Sequence, residues 1–263
     1  MKKSVMLFPF HAALKDGTLP PGWLADALRE AGADGVELMD SLHAEAPAVF
    51  TALRKAAARA GLAIACHDIG INMLGDDAGR ADRHARIRGR LDFTREVLDC
   101  GTALVYSATP VPGADLDAAR ALYGEYLAGF ADYARPRGIT VTFEDYDPVP
   151  DFVCAAGHCL HVLRAARGKV GFTFDTGNFI CAGGDATAAY PLLREYTAHV
   201  HLKDRPVKPR PRAPGRLGEG GIGIAGIVRS LKRDGYGGWL SVEPGSGRLE
   251  DATDALRYLA ALA

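Results

Sequence analysis

Cysteine is sparse in this chain and shows no pairing pattern. The five thiols (Cys66, Cys100, Cys154, Cys159 and Cys181) are odd in number and scattered, and none falls in a CxxC. That spacing argues against a disulfide framework and reads as reduced thiols of a cytoplasmic protein, mostly small core side chains. Long apolar runs are missing as well: no segment approaches the ~18 consecutive apolar residues of a membrane span. The opening MKKSVMLFPF carries two lysines and a short apolar run. Pro9 and His11 interrupt it before a signal core of ~7–15 residues is complete, so no membrane association is expected. Charge of one sign is not in excess. Net charge is −1 over 263 residues, with 24% charged and 48% hydrophobic residues. A general nucleic-acid or polyphosphate binder carries a basic surplus, and none is expected here. No linker or shift in composition divides the chain, so residues 1–263 read as one domain.

What is present is an alternation. Short β-prone runs occur at SVMLFPF (4–10), GVELM (35–39), LAIACHD (62–68), ALVYSA (103–108), TVTFED (140–145), VGFTFD (170–175), HVHLKD (199–204) and WLSVEP (239–244). Between them lie Ala/Leu/Arg-rich stretches that predict helices near 22–31, 44–60, 78–99, 115–137, 156–167, 185–196, 224–234 and 249–262. Gly precedes several strands, in RAGLAI, DCGTAL, PRGITV and DGYGGW, where a left-handed residue ends a helix. Eight strands alternating with eight helices is the period of a (β/α)8 TIM barrel. An open doubly wound sheet would want a Gly-rich phosphate loop after the first strand, and FPFHAALKDG is not one. One segment stands apart: RPVKPRPRAPGRLGEGG (205–221) holds four of the fifteen prolines and five basic residues. It follows the seventh strand and reads either as a solvated loop or as a lid over a substrate.

Alternate strand residues face opposite sides of a sheet. In HVHLKD, His199, His201 and Lys203 then share one face and Val200 and Leu202 the other, the right polarity for a strand whose polar face lines a site. The same phase puts Thr140, Thr142 and Glu144 together in the fifth strand. It groups Gly171, Thr173 and Asp175 in the sixth, Ser241 and Glu243 in the eighth, Ala63, Ala65 and His67 in the third, and Gly35 and Glu37 in the second. Ionisable groups fall at the C-terminal ends, where barrels carry their chemistry. Glu37, His67, Glu144, Asp175, His201 and Glu243 are therefore expected on one rim. Several carboxylates beside an imidazole repel one another unless protonated or bridged by a cation. The mostly oxygen set of Glu144, Asp175, His201 and Glu243 suits one divalent metal ion: Mn²⁺ first, then Mg²⁺ or Co²⁺, with Zn²⁺ less favoured. Glu37 and His67 read as substrate contacts or as partners behind the ligands. His199 reads as a buried structural histidine.

GADGVEL, VTFEDY, FDTGNF, HVHLKD, GEGGIGIAGIVRSLKRDGYGG and WLSVEP, in this order, resemble the sugar phosphate isomerase/epimerase superfamily, the xylose isomerase-like TIM barrels. The resemblance runs nearly end to end. It implies a metal site of a Glu, an Asp, a His and a Glu from strands 5 to 8, which fall on Glu144, Asp175, His201 and Glu243. It also implies proton removal α to a carbonyl through a metal-stabilised enediolate. Glu144 and Glu243 are then the catalytic pair, one taking the proton and the other returning it. Members include ketose 3-epimerases, hydroxypyruvate isomerase, and inosose and dehydroshikimate dehydratases, so metal-dependent dehydration on the same site is the alternative. Endonuclease IV shares the barrel. Asn178 of DTGN stands where several members carry a histidine, which weighs against a multinuclear phosphodiesterase. Asn178, Lys203, His67 and Arg216 are candidates for holding hydroxyls or a carboxylate of a small sugar or polyol-derived substrate, and Glu219 for ordering the loop. Barrels of this kind commonly form dimers or tetramers.

Overall fold

The computed structural model describes residues 1–106, 108–206 and 215–262. Residues 207–214 of the Pro/Arg-rich segment lie outside the described residues. Eight parallel strands close into one barrel in chain order. They are β1 (Lys2–Met6), β2 (Gly35–Met39), β3 (Ala63–Gly70), β4 (Thr102–Tyr106), β5 (Thr140–Glu144), β6 (Gly171–Asp175), β7 (Thr197–Leu202) and β8 (Trp239–Val242). The principal helices are α1 (Pro21–Glu30), α2 (Pro47–Arg59), α3 (Arg80–Glu96), α4 (Leu116–Ala134), α5 (Ala156–Ala165), α6 (Ala186–Leu193), α7 (Ile224–Arg233) and α8 (Leu249–Ala261). Among the described residues no helix is long and apolar enough to cross a membrane. All five cysteines are unpaired.

The first strand departs from its expected span. β1 ends at Met6, and Phe8–Phe10 form a 3₁₀ turn followed by a short helix, His11–Lys15. Pro9 supplies no N–H and fixes its φ, so the apolar run cannot continue as a strand. At helix ends the expected glycines at 61, 138 and 235 take positive φ, but before β4 the left-handed residue is Asp99 (φ 48) and not Gly101.

The apolar core lies between strands and helices. Val5, Val36, Leu38, Val141, Phe143, Phe172, Phe174, Val200, Leu202, Leu240 and Val242 face outward and are all buried. The lumen is polar instead: Ser4, Glu37, Asp68, Thr142, Thr173, Asp175, His199, His201 and Ser241 are fully buried.

Two irregularities set which residues enter that lumen. In β3, Val36 pairs with Ile64 but Glu37 pairs with Cys66, so Ala65 is an extra residue. In β7, Phe172 pairs with Thr197 but Thr173 pairs with His199, so Ala198 is extra. A bulge of this kind reverses the facing of the residues beyond it. Gly171 makes the second one possible: a Cβ there would lie 2.6 Å from Cβ of Ala198.

Candidate active site

The mouth of the barrel is built from strand ends. Glu144 and Asp175 close β5 and β6, His201 is the next-to-last residue of β7, and Glu243 follows β8. Asp175 pairs in register with His201, and His201 with Ser241. Backbone bonds lock the turn after β6 to the end of β7. Thr176 N–H donates to the His201 carbonyl at 3.0 Å, and the Thr176 hydroxyl donates to the Lys203 carbonyl at 2.8 Å.

Three ligand atoms, one each from Glu144, Asp175 and His201, lie within 4.8 Å of one another. His201 Nδ1 is 3.3 Å from Glu144 Oε2 and 3.8 Å from Asp175 Oδ2. That Nδ1 is buried without a hydrogen-bond partner among the described residues, and the buried Asp175 Oδ2 is met by the Lys203 ammonium at 3.1 Å. Buried polar atoms left without partners are costly and call for an occupant. The set fits a divalent cation with carboxylate and imidazole donors.

Glu243 joins this cluster through Lys203. The Lys203 ammonium lies 2.7 Å from Glu243 Oε2, 3.1 Å from Asp175 Oδ2 and 3.1 Å from the Asn178 side-chain oxygen. Its stem crosses Gly177, where a Cβ would meet Lys203 Cγ at 2.7 Å. Asn178 is buried and donates to the Asp145 carbonyl at 2.7 Å. Burial pushes the Asp175 and Glu243 carboxyls up, and the Lys203 ammonium pulls both back. Burial disfavours the charge on Lys203, but Asp175 and Glu243 outweigh it and hold its pKa above the usual lysine range. Glu144 and Glu243 keep 12% and 15% of their side chains accessible, while Asp175 and His201 keep none. The two glutamates are therefore the carboxylates that can meet a bound molecule.

Glu37 lies below the rim. It is fully buried and bonds the Nε2 atoms of both His201 and His199, at 2.9 and 3.0 Å. Burial opposes its ionisation, but the two imidazoles outweigh it and hold the carboxyl well below the usual range.

The expected grouping of His67 with the inward face is not met. After the bulge at Ala65, Cys66 and Asp68 turn into the lumen beside Glu37. His67 turns outward instead. Its Nδ1 lies 2.7 Å from Thr94 Oγ1 on α3, its ring packs on Phe93, and its Nε2 is 3.7 Å from Asp40. Arg216 also lies apart from the cluster, 3.3 Å from Asp251 and 3.5 Å from Asp254 on α8 with its side chain half-exposed.

Three residues escaped the alternation argument. Asp68 is fully buried and burial pushes its carboxyl well up. Tyr106 on β4 pairs with Gly70, where a Cβ would lie 2.6 Å from its hydroxyl oxygen. Arg205 reaches back to Asp147 at 2.5 Å. Adjacent His and Asp in ACHDIG allow either residue to face inward, and only the register chooses between them.

Comparisons with known proteins agree with this architecture. The family profile of the xylose isomerase-like TIM barrel matches residues 25–262. Over 136 residues the chain is 27% identical to the rhizopine catabolism protein MocC of Rhizobium meliloti. That stretch covers 46% of this chain and 41% of MocC, less than half of either. Among solved structures, it is similar to a D-psicose 3-epimerase with D-tagatose from Clostridium cellulolyticum H10, at TM-score 0.77 and 17% identity, covering 100% of this chain and 99% of that one. It is also similar to a xylose isomerase-like TIM barrel protein from Mycobacterium smegmatis in complex with magnesium, at TM-score 0.74 and 20% identity, covering 100% and 95%. With the profile spanning nearly all of its barrel, the chain belongs to the xylose isomerase-like TIM barrel family.

Proposed function

We propose that this protein is a divalent-metal-dependent isomerase or epimerase of a keto-sugar or related polyhydroxy carbonyl compound. The observation that carries this reading is the arrangement of four adjacent strand ends. Two accessible carboxylates, Glu144 and Glu243, flank a buried donor pair, Asp175 and His201. The shared fold with a D-psicose 3-epimerase supports a polyhydroxy carbonyl substrate.

Glu144, Asp175, His201 and Glu243 would hold the cation, with Mn²⁺ the ion best matched to mixed oxygen and nitrogen donors. Such a cation supplies Lewis-acid stabilisation of the negative charge that develops on a substrate oxygen. The chain's own residues do the rest. Glu144 and Glu243 come from opposite ends of the strand 5–8 arc, so one can take the proton α to the carbonyl and the other can return it to the enediolate. Return to the opposite face gives an epimer, and return to the neighbouring carbon gives an isomer. General acid–base help of this kind contributes ~10²–10⁴-fold. Lys203 stands beside Glu243 and can hold a hydroxyl oxygen next to the reacting carbon, with Asn178 behind it accepting from the ammonium at 3.1 Å.

Glu144→Gln and Glu243→Gln test this pair. With Mn²⁺ and a panel of ketoses, inososes and keto acids in D₂O, the wild-type enzyme should exchange the substrate α-hydrogen, and each variant should not. Full exchange in both variants would end the two-carboxylate reading. Loss of water, seen as a new conjugated chromophore, would move the activity to dehydration.

A further inference from the structure

Glu37 reaches across the lumen from β2 to β7 and serves two imidazoles with one carboxylate. Its Oε1 meets His201 Nε2 at 2.9 Å and its Oε2 meets His199 Nε2 at 3.0 Å. β8 and β1 lie between those strands, where Ser241 pairs with His201, Ser4 with Ser241 and Met6 with Glu37. All three side chains are fully buried, so no solvent competes for these bonds.

An ionised carboxylate can only accept hydrogen bonds. Both histidines must therefore present an Nε2 proton to Glu37. For a neutral imidazole this leaves Nδ1 as a bare lone pair. On His201, neutral when it ligates a cation, that lone pair faces Glu144 Oε2 at 3.3 Å and Asp175 Oδ2 at 3.8 Å, and Nδ1 has no hydrogen-bond partner of its own among the described residues.

We infer that Glu37 is a positioning residue: it fixes His201 as the Nε2–H tautomer and so turns Nδ1 into the carboxylate cluster as a metal ligand. This rests on the metal-holding role given to His201 above. It separates Glu37 from the substrate, which the buried carboxylate does not reach. It also explains why an acid sits where a core residue would be cheaper. Carboxylates behind a ligating histidine fix its ring and raise its basicity, and losing one typically costs about 10–100-fold in metal affinity.

Glu37→Gln tests it. The amide keeps the volume but replaces one accepting oxygen with a donating NH2, so its two ends cannot each take an N–H from an imidazole. Mn²⁺ titration of wild type and variant followed by electron paramagnetic resonance should show a loss of about 10–100-fold in affinity. Nitrogen-15 spectra of histidine-labelled, Mg²⁺-loaded protein should show His201 as the Nε2–H tautomer in the wild type. In the variant that population should fall. A variant within twofold of wild type for Mn²⁺, with the tautomer unchanged, overturns the inference and leaves the metal site standing. Wild-type protein that takes up no Mn²⁺ overturns both. If the variant does not fold, the wild-type spectrum decides alone, because an Nδ1–H tautomer in the loaded protein is incompatible with the role.

Discussion

At the scale of single residues, Lys203 decides the charge balance at the mouth. Its ammonium touches Asp175 and Glu243, two carboxylates assigned to the cation. Like charges compete for the same oxygens. Lys203→Met is therefore expected to raise Mn²⁺ affinity while lowering turnover. Without metal it leaves the buried Asp175 carboxylate uncompensated, and breaking a buried pair this way costs about 3–5 kcal/mol. Paired thermal melts with and without Mn²⁺ check both halves: a large loss in the metal-free protein that the ion largely reverses. A variant that binds Mn²⁺ more weakly would show that the lysine supports the ion instead. Alternation along single strands was enough to point Glu144, Asp175 and His201 toward a common centre. The same reasoning chose His67 over Asp68, because nothing within LAIACHD marks Ala65 as the extra residue.

At the scale of elements, Asp204 organises the return of the long loop after β7. Its carboxylate accepts backbone N–H groups from Arg205 at 2.9 Å, Gly218 at 2.9 Å, Gly220 at 3.1 Å and Ile222 at 3.3 Å. The Asp204 carbonyl also accepts from Gly215 at 2.9 Å, which ties the two ends of the segment together. Four donors on one buried acid explain the last letter of HVHLKD and the glycines of GRLGEGG. A Cβ at Gly220 would lie 2.1 Å from the Asp204 carboxylate. Asp204→Ala strands those donors, each worth ~1–3 kcal/mol when buried and unsatisfied. Removing several should lower stability by roughly 3 kcal/mol or more in a urea melt, and Gly220→Ala should do similar harm by displacing the carboxylate. A loss within 1 kcal/mol for Asp204→Ala would show that water replaces the carboxylate freely. The glycine spacing announced a loop in the sequence. Its anchor was not legible there, since Asp204 and Gly218 are far apart until β7 and α7 are placed.

At the scale of the whole molecule, buried and half-buried histidines outside the site make the barrel sensitive to acid. Burial, with help from Lys15, lowers His11 from 6.5 to about 4. Burial is also the leading cause that lowers His67, His43, His84 and His158. These groups are neutral in the fold at pH 7. Below about 6.5 the unfolded chain takes up protons that the folded chain refuses. Their stabilisation is thus present above pH 6.5 and is lost as pH falls toward 4. His201 works in the opposite sense: burial disfavours its charge, but Glu37 and Glu144 outweigh it and raise it. Melting temperature is expected to fall steadily from pH 7 to pH 4.5, and His11→Gln should flatten that slope. An unchanged slope in the variant would remove His11 from the account. Saturating Mn²⁺ should act on the whole fold too, adding about 2.7 kcal/mol at a hundred times its dissociation constant.

The eight-fold strand–helix period and the inward phase of Glu144, Asp175 and His201 are properties of local sequence, because strand alternation and helix periodicity are set within a few residues. The tertiary structure decided the rest. Ala198 becomes a bulge because Gly171 on the neighbouring strand leaves it room, and the Ala65 bulge turns Asp68 inward and His67 outward. Glu37 meets its histidines across a lumen that exists only when the sheet closes, and Arg216 finds its acids only when α8 packs beside it. Register between strands and contact across a barrel are relations between distant segments, and no single segment encodes them.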